Sequence, residues 1–389
     1  MKKLLMNTLS ACASLYVLSM PSAVNADWSI TGLGSLYEYI RSSGAAAIND
    51  SGQVVGTSVA KSGYHAFITG PDGVGMTDLD TLVGNRSGAE DVNDFGRVVG
   101  GSSFLDNIIN SHAFIAGPDG VGMTDMGALG GVGGRAMAIN NSGQVAGLAS
   151  NGNTTRAFLT GPNGVGMTDL GTLGGNHSGA YGVNDSGQVA GSSGISNDNT
   201  YFHAFITGPD GVGMTDLGTL GGDYSRAYGI NDSGQVVGMA STVNSFHAFI
   251  TGPDGVGMTD LGTLGGYRSE AAAINDFGEV VGYAAIAGGD PHAFLFSHGG
   301  MTDLNLLAPV VAAGWSKLSV TDVNNNGQIV GQGYHNGGYG EAFLLSYTPD
   351  TIFDPHPIFI PSVPEPSTYI MLVAGLGLLG FVSRKKITG

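Results

Sequence analysis

One cysteine, Cys12, stands in 389 residues, and only 12% of the chain is charged. Cys12 stands close to the N-terminus, so if the first residues are removed as a leader the remaining chain is expected to have no thiol for disulfides, thiolate catalysis or metal binding. Basic residues are scarce as well: 14 Lys and Arg face 31 Asp and Glu, a formal net charge of -17. A balance so acidic disfavours nucleic acid as a partner. No apolar run reaches the ~20 residues that span a bilayer comfortably. Catalytic signatures are missing too: there is no P-loop, no G-x-S-x-G and no H-E-x-x-H. Glycine is what the chain has in excess, 68 residues, and they recur at fixed positions, which marks architecture and not disorder.

That periodicity is the main signal. The segment AINDSGQVVG begins at Ala47, and its Asn49 returns as Asn93, Asn140, Asn184, Asn231, Asn275 and Asn324, at spacings of 44, 47, 44, 47, 44 and 49 residues. Units of this length with several strand-like runs predict propeller blades, with an open β-solenoid as the alternative. In the fifth unit the runs are Arg226 to Asn231, Gly234 to Ala240, His247 to Gly252 and Gly257 to Leu264. Asp232-Ser233 joins the first two and Pro253-Asp254-Gly255 the last two, both tight-turn chemistry. Each unit therefore reads as a four-stranded antiparallel meander. The last unit lacks its outer strand, and an orphan copy, Ile30 to Leu36, precedes the first. The expected fold is all-β: a seven-bladed β-propeller over residues 27–348, closed when the N-terminal strand completes the last blade.

Side chains that repeat are read first as structure. Five units carry a His, at His65, His112, His203, His247 and His292, and each is expected to bond the Asp of the neighbouring T-D-L run (Asp78, Asp125, Asp216, Asp260, Asp303). Shared metal ligation is the weaker alternative, because neighbours on a ring stand too far apart. Asp50, Asp94, Asp185, Asp232 and Asp276 lie in one turn and Asp72, Asp119, Asp210 and Asp254 in the other. They read as turn formers with at most weak Ca²⁺ bridging, so no cofactor is expected. Gly130 to Gly133 is similar to calcium-binding nonapeptide repeats, yet Arg135 stands where that motif wants Asp.

Side chains that break the repeat are the candidates for function. They fall on the connections opposite the tight turns: Tyr37, Tyr39, Arg41, Arg86, His177, Tyr224, Arg226, Tyr267, Arg268 and Trp315. Aromatic and Arg residues gathered on one face suit recognition better than folding. The alternative is that these aromatics merely pack over the loops.

The two ends set the destination. Residues 1–26 have a basic start, an apolar stretch and Val24-Asn25-Ala26 as a small-residue cleavage site, a secretory signal peptide. Leu9-Ser10-Ala11-Cys12 leaves lipoprotein processing as an alternative. A Pro-rich linker, 349–363, leads to Pro364-Glu365-Pro366, the apolar segment 369–382 as a short transmembrane anchor, and the basic Arg384-Lys385-Lys386. This tail, 364–389, resembles the PEP-CTERM sorting signal of Gram-negative bacteria. The resemblance implies transient residence in the inner membrane, handling by an exosortase-type transpeptidase, and release to the cell surface or extracellular matrix beside exopolysaccharide. The units likewise resemble the HAF-repeat family of extracellular proteins, although Arg156 and Glu341 replace the His in two copies. Taken with the variable face and the missing catalytic signatures, the expectation is an exported binding scaffold of a biofilm matrix that contacts exopolysaccharide or a surface protein, without catalysis. A glycan hydrolase or lyase is the alternative.

Overall fold

A computed structural model describes residues 28–40, 42–103, 111–197 and 200–347. The expected leader, the linker, the sorting tail with segment 369–382, and Arg41 lie outside these residues.

The described chain is all-β apart from single 3₁₀ turns and one short helix, Ala308–Ala312. Its repeated unit is the expected meander. In the fifth unit the inner strand is Ser225–Ile230, followed by Val236–Ser241, Phe246–Thr251 and the outer Met258–Asp260, each antiparallel to the one before. Outer strands are shorter than the sequence suggests. The Asp260 carboxylate accepts the Gly262 N–H at 2.7 Å, and Gly262 turns the chain at a φ of 76°, so pairing stops at Asp260. At the Pro-Asp-Gly turns the central residue is left-handed, as at Asp254 (φ 53°), a conformation that Asp and Asn tolerate.

Five sheets have four strands, and one has eight because a single parallel pair, Tyr64 with Arg86, joins the first two units. Among the described residues no sheet closes on itself. One four-stranded sheet unites the chain ends: Trp28–Gly34 pairs antiparallel with Gly340–Tyr347, setting Trp28 opposite Tyr347 and Ile30 opposite Leu345.

The core lies between neighbouring sheets. Each unit contributes one Phe with no exposed surface, from Phe67 to Phe343. Phe294, for instance, packs with Ala271 and Ile274 of its own unit and with Val237, Ala248 and Ile250 of the preceding one. Close approach on the second strand requires glycine: a Cβ on Gly191 would stand 2.1 Å from the Gly179 carbonyl oxygen and 2.8 Å from the Phe205 ring.

Every inner strand carries a β-bulge at the same place. The register skips one residue, which is Ala46, Glu90, Met137, Tyr181, Tyr228, Ala272 or Thr321 according to the unit. A bulged residue is released from the ladder and its side chain is re-aimed, so this position varies without cost to pairing.

Candidate functional site

The tight turns of all units meet at one end of the inner strands and enclose a cavity of about 200 Å³. Two circles of hydrogen bonds run around it. In the deeper one, each turn Asn donates its Nδ2 to the backbone carbonyl of the next: Asn49 to Asn93 (2.9 Å), and so on to Asn324, which returns to Asn49 at 2.9 Å. In the outer one, each backbone N–H donates to the next turn's Asx side chain, through Asp50, Asp94, Asn141, Asp185, Asp232, Asp276 and Asn325.

Two amides relieve the charge in this outer circle. Asn141 Nδ2 bridges Asp94 and Asp185, and Asn325 Nδ2 bridges Asp50 and Asp276. Asp232 sits between Asp185 and Asp276 with no amide beside it; burial, then those two carboxylates, push its carboxyl above the usual range. The second-turn aspartates are held by Gln side chains, as Asp254 is by Gln188 Nε2 at 3.1 Å. Among the described residues, no group of three or more His, Cys, Asp or Glu is arranged to hold a metal ion.

Two units carry an aspartate just after the bulge, where the others have Ala or Gly. Asp91 accepts the N–H groups of Val92 (2.7 Å) and of Ile139 in the next unit (2.8 Å). Asp322 accepts those of Val323 (2.8 Å) and Ile48 (2.9 Å). Burial pushes Asp91 up to about 8, with Asp322 and Glu90 adding to it, and lifts Asp322 to about 7. Each is protonated more readily folded than unfolded, so the stability it contributes is full below pH 4 and is lost as pH rises toward the folded value. The thermal midpoint is expected to fall by about 5–10 °C between pH 5 and pH 9, and to fall less in an Asp91→Asn/Asp322→Asn double variant. Parallel slopes for parent and variant in a pH series of melts would refute this origin.

The repeated histidines are where the sequence puts them. Nδ1 of His65, His112, His203, His247 and His292 donates to Asp78, Asp125, Asp216, Asp260 and Asp303 respectively, at 2.6 to 2.9 Å. The last unit solves the same problem differently. Gly32 stands in the Asp position, and the Glu341 carboxylate crosses over to accept the Gly34 N–H at 3.2 Å.

The variable residues lie at the opposite end of the strands, and the structure sorts them. Tyr224, Arg226 and Arg268 come together. The Arg226 guanidinium lies 5.6 Å from the Tyr181 ring centre and 6.0 Å from that of Tyr224. Tyr224 meets Phe246 edge-on at 5.9 Å and Phe202 at 6.5 Å. Arg268 lies 5.8 Å from Phe246 and 5.9 Å from Tyr283. Glu270 anchors the group, accepting from Arg268 Nη2 at 3.0 Å, from the Tyr283 hydroxyl and from Tyr228. Burial, and for Tyr228 and Tyr283 the carboxylate of Glu270, raise the hydroxyls of Tyr224, Tyr228 and Tyr283, so all three remain protonated donors.

Other candidates stand apart from this group in their contacts. Tyr37 and Tyr39 pair with each other at 5.4 Å, and Arg86 covers Tyr64 at 5.1 Å. Tyr267 is exposed, while His177 uses its Nδ1 to accept the Thr155 N–H at 3.2 Å. Trp315 corrects the expectation of an exposed contact: it is 5% exposed, stacked on His335 at 4.8 Å and set edge-on to Phe343. The last unit's inner strand, Trp315–Val323, is longer than that of the fifth unit, and the indole at its start fills the space beside Leu318 and Phe343 that Gly32 and Gly333 leave open. Tyr181 and Tyr228 were missed because a bulge is invisible to a period-2 reading, and Glu270 because it sits inside a strand, in register with Tyr283, and not on the connections. A comparison of the units at that one position would have found the tyrosines.

Residues 362–386 match the PEP-CTERM protein-sorting motif, which implies an exported, exosortase-sorted cell-surface protein. Among curated proteins, no sequence matches the chain significantly. The β-propeller domain of the Trilobed protease from Pyrococcus furiosus, described as having an open velcro topology, is similar with a TM-score of 0.52 and 10% identity, over 80% of this chain and 99% of that domain. Oligogalacturonate lyase from Vibrio parahaemolyticus gives 0.49 and 8% identity over 82% of this chain and 96% of its own. TolB from Acinetobacter baumannii gives 0.43 and 12% over 76% and 80%. At such identities the likeness concerns the fold alone. The class defined is thus an exported all-β protein of β-propeller kind. Among the described residues no helix is long and apolar enough to cross a membrane.

Proposed function

We propose that this chain is a seven-bladed propeller, closed by its N-terminal strand, that serves without catalysis as a carbohydrate-binding scaffold in the exopolysaccharide layer. The circle of Asn bonds and the shared sheet of the two chain ends support the closed ring. The five His–Asp pairs support the likeness to HAF-repeat proteins. Division into a leader (1–26), a propeller (27–348), a linker (349–363) and a sorting tail (364–389) completes the reading.

One observation carries the binding role: Tyr224, Phe246 and Tyr283 with Arg226 and Arg268, at positions that vary from unit to unit, meet here in one aromatic and cationic platform. Aromatic faces set among fixed donors suit sugar rings, whose apolar faces stack while their hydroxyls bond. Asp91 and Asp322 favour a second reading, a glycan hydrolase or lyase, because such chemistry uses two carboxyls, one of them with a raised pKa. Both already hold two backbone N–H groups, which suits a clamp between units better than an acid and a base.

The test is affinity electrophoresis of the full-length protein in mild detergent through gels containing the producing organism's exopolysaccharide. Retardation that is lost in Tyr224→Ala supports the platform. Free migration of the parent overturns the scaffold reading, and release of reducing ends that stops in Asp91→Asn establishes the enzyme.

A further inference from the structure

The repeat supplies an internal control for one side chain. Arg135 and Arg226 occupy the same place in their units, directly opposite Leu148 and Met239 on the second strand. That place is Gly44, Gly88 and Gly179 in three other units, so folding does not ask for a cation there. Arg135 reaches the bulge residue of the preceding unit, Glu90, and its Nη2 donates to that carboxylate. Arg226 reaches the equivalent bulge residue of its own preceding unit and meets Tyr181, a ring face in place of a carboxylate. Its neighbour Arg268 already pairs with Glu270. Among the described residues Arg226 forms no direct ion pair: its guanidinium hydrogen-bonds Tyr228, which hydrogen-bonds Glu270 in turn, and its buried Nε, like those of Arg135 and Arg268, has no hydrogen-bond partner.

A half-buried guanidinium that reaches a carboxylate only through a tyrosine hydroxyl, and shares that carboxylate with Arg268, is costly in a fold that accepts glycine at the same position. It lies between Tyr181 and Tyr224, beside the edge-on pair of Tyr224 and Phe246. From this we infer that the platform takes an anionic sugar: a carboxylate or other oxyanion substituent occupies the guanidinium of Arg226 while the pyranose ring lies against Tyr224. The planar fork of Arg suits such oxyanions. The inference rests on the carbohydrate-binding reading and narrows it from any glycan to acidic glycans, in a chain whose overall charge of -17 would repel them elsewhere.

Affinity electrophoresis of the full-length protein with alginate, dextran sulfate and neutral dextran tests it. Alginate is expected to retard the parent and dextran not, with Arg226→Met weakening apparent affinity about tenfold and Arg226→Lys less. Tyr181→Glu is the sharper variant, because it rebuilds the Glu90–Arg135 arrangement, keeps the fold and fills the anion site from within. It should abolish retention by alginate while its thermal midpoint stays at or above that of the parent, and it decides the matter if Arg226→Met fails to fold. Equal retention by dextran sulfate, lost in the same variants, supports the oxyanion class in general. Equal retention by dextran and alginate, or alginate retention unchanged in Tyr181→Glu, overturns the anionic preference and leaves the carbohydrate reading standing. Free migration through all three gels removes both.

Discussion

Deletion of Trp28–Gly34 is expected to abolish cooperative folding. The strand pairs with Gly340–Tyr347, and its Trp28 ring lies 4.7 Å from that of Tyr347. Ile30 packs on the core of the last unit, which includes Ile329, Phe343 and Leu345. Losing two or three such apolar side chains costs about 2 kcal/mol each, and the ladder bonds add about 1 kcal/mol apiece. The sum reaches the whole stability of an ordinary domain, about 5–15 kcal/mol. An unpaired edge at Gly340–Tyr347 would also template association. The expected result is a protein that aggregates on size exclusion and melts without a sharp transition. A monomer melting within a few degrees of the parent would show that the fold does not depend on this strand.

The second large effect is expected at Asn184. This side chain is 4% exposed. Its Nδ2 donates to Gln188 Oε1 at 2.8 Å and to the Asn231 carbonyl at 3.0 Å, and its Oδ1 accepts from Gln188 N and Ser186 Oγ at 2.9 Å. Alanine removes four bonds at once and strands buried partners, each worth about 1 kcal/mol. A loss of about 4 kcal/mol, or about 8 °C in thermal midpoint, is expected from denaturant and thermal melts. Asn184→Asp should do no better, since a carboxylate keeps the acceptor and loses the donor that links one unit to the next. A change under about 1 kcal/mol in both variants would mean that the circle is incidental to stability.

The fold was largely legible because the repeat presents the same local argument again and again. Val-Val-Gly on the second strand, the buried Phe and the Pro-Asp-Gly turn each recur in register, so a misreading of one copy is corrected by the others. The His–Asp pairs were legible for the same reason, whereas the exchange at Glu341 and Gly32, which changes both partners together, emerged only from the structure. The candidate site was legible only in part. Tyr224, Arg226 and Arg268 were found because they break the repeat. Trp315 also breaks it, yet it is buried, and sequence cannot distinguish an aromatic that stacks in the core from one that faces solvent.

The sequence by itself determined the unit, its strands and turns, and the sorting tail, because these depend on residues close along the chain. Which variable side chains meet was decided by tertiary structure alone. Inner strands of neighbouring units stand side by side although tens of residues separate them, and the bulge turns Tyr181, Glu90 and Tyr228 out of the ladder pattern. Whether an arginine finds a carboxylate or a tyrosine ring therefore depends on the residue at the bulge of the unit before it, a contact that no local pattern encodes.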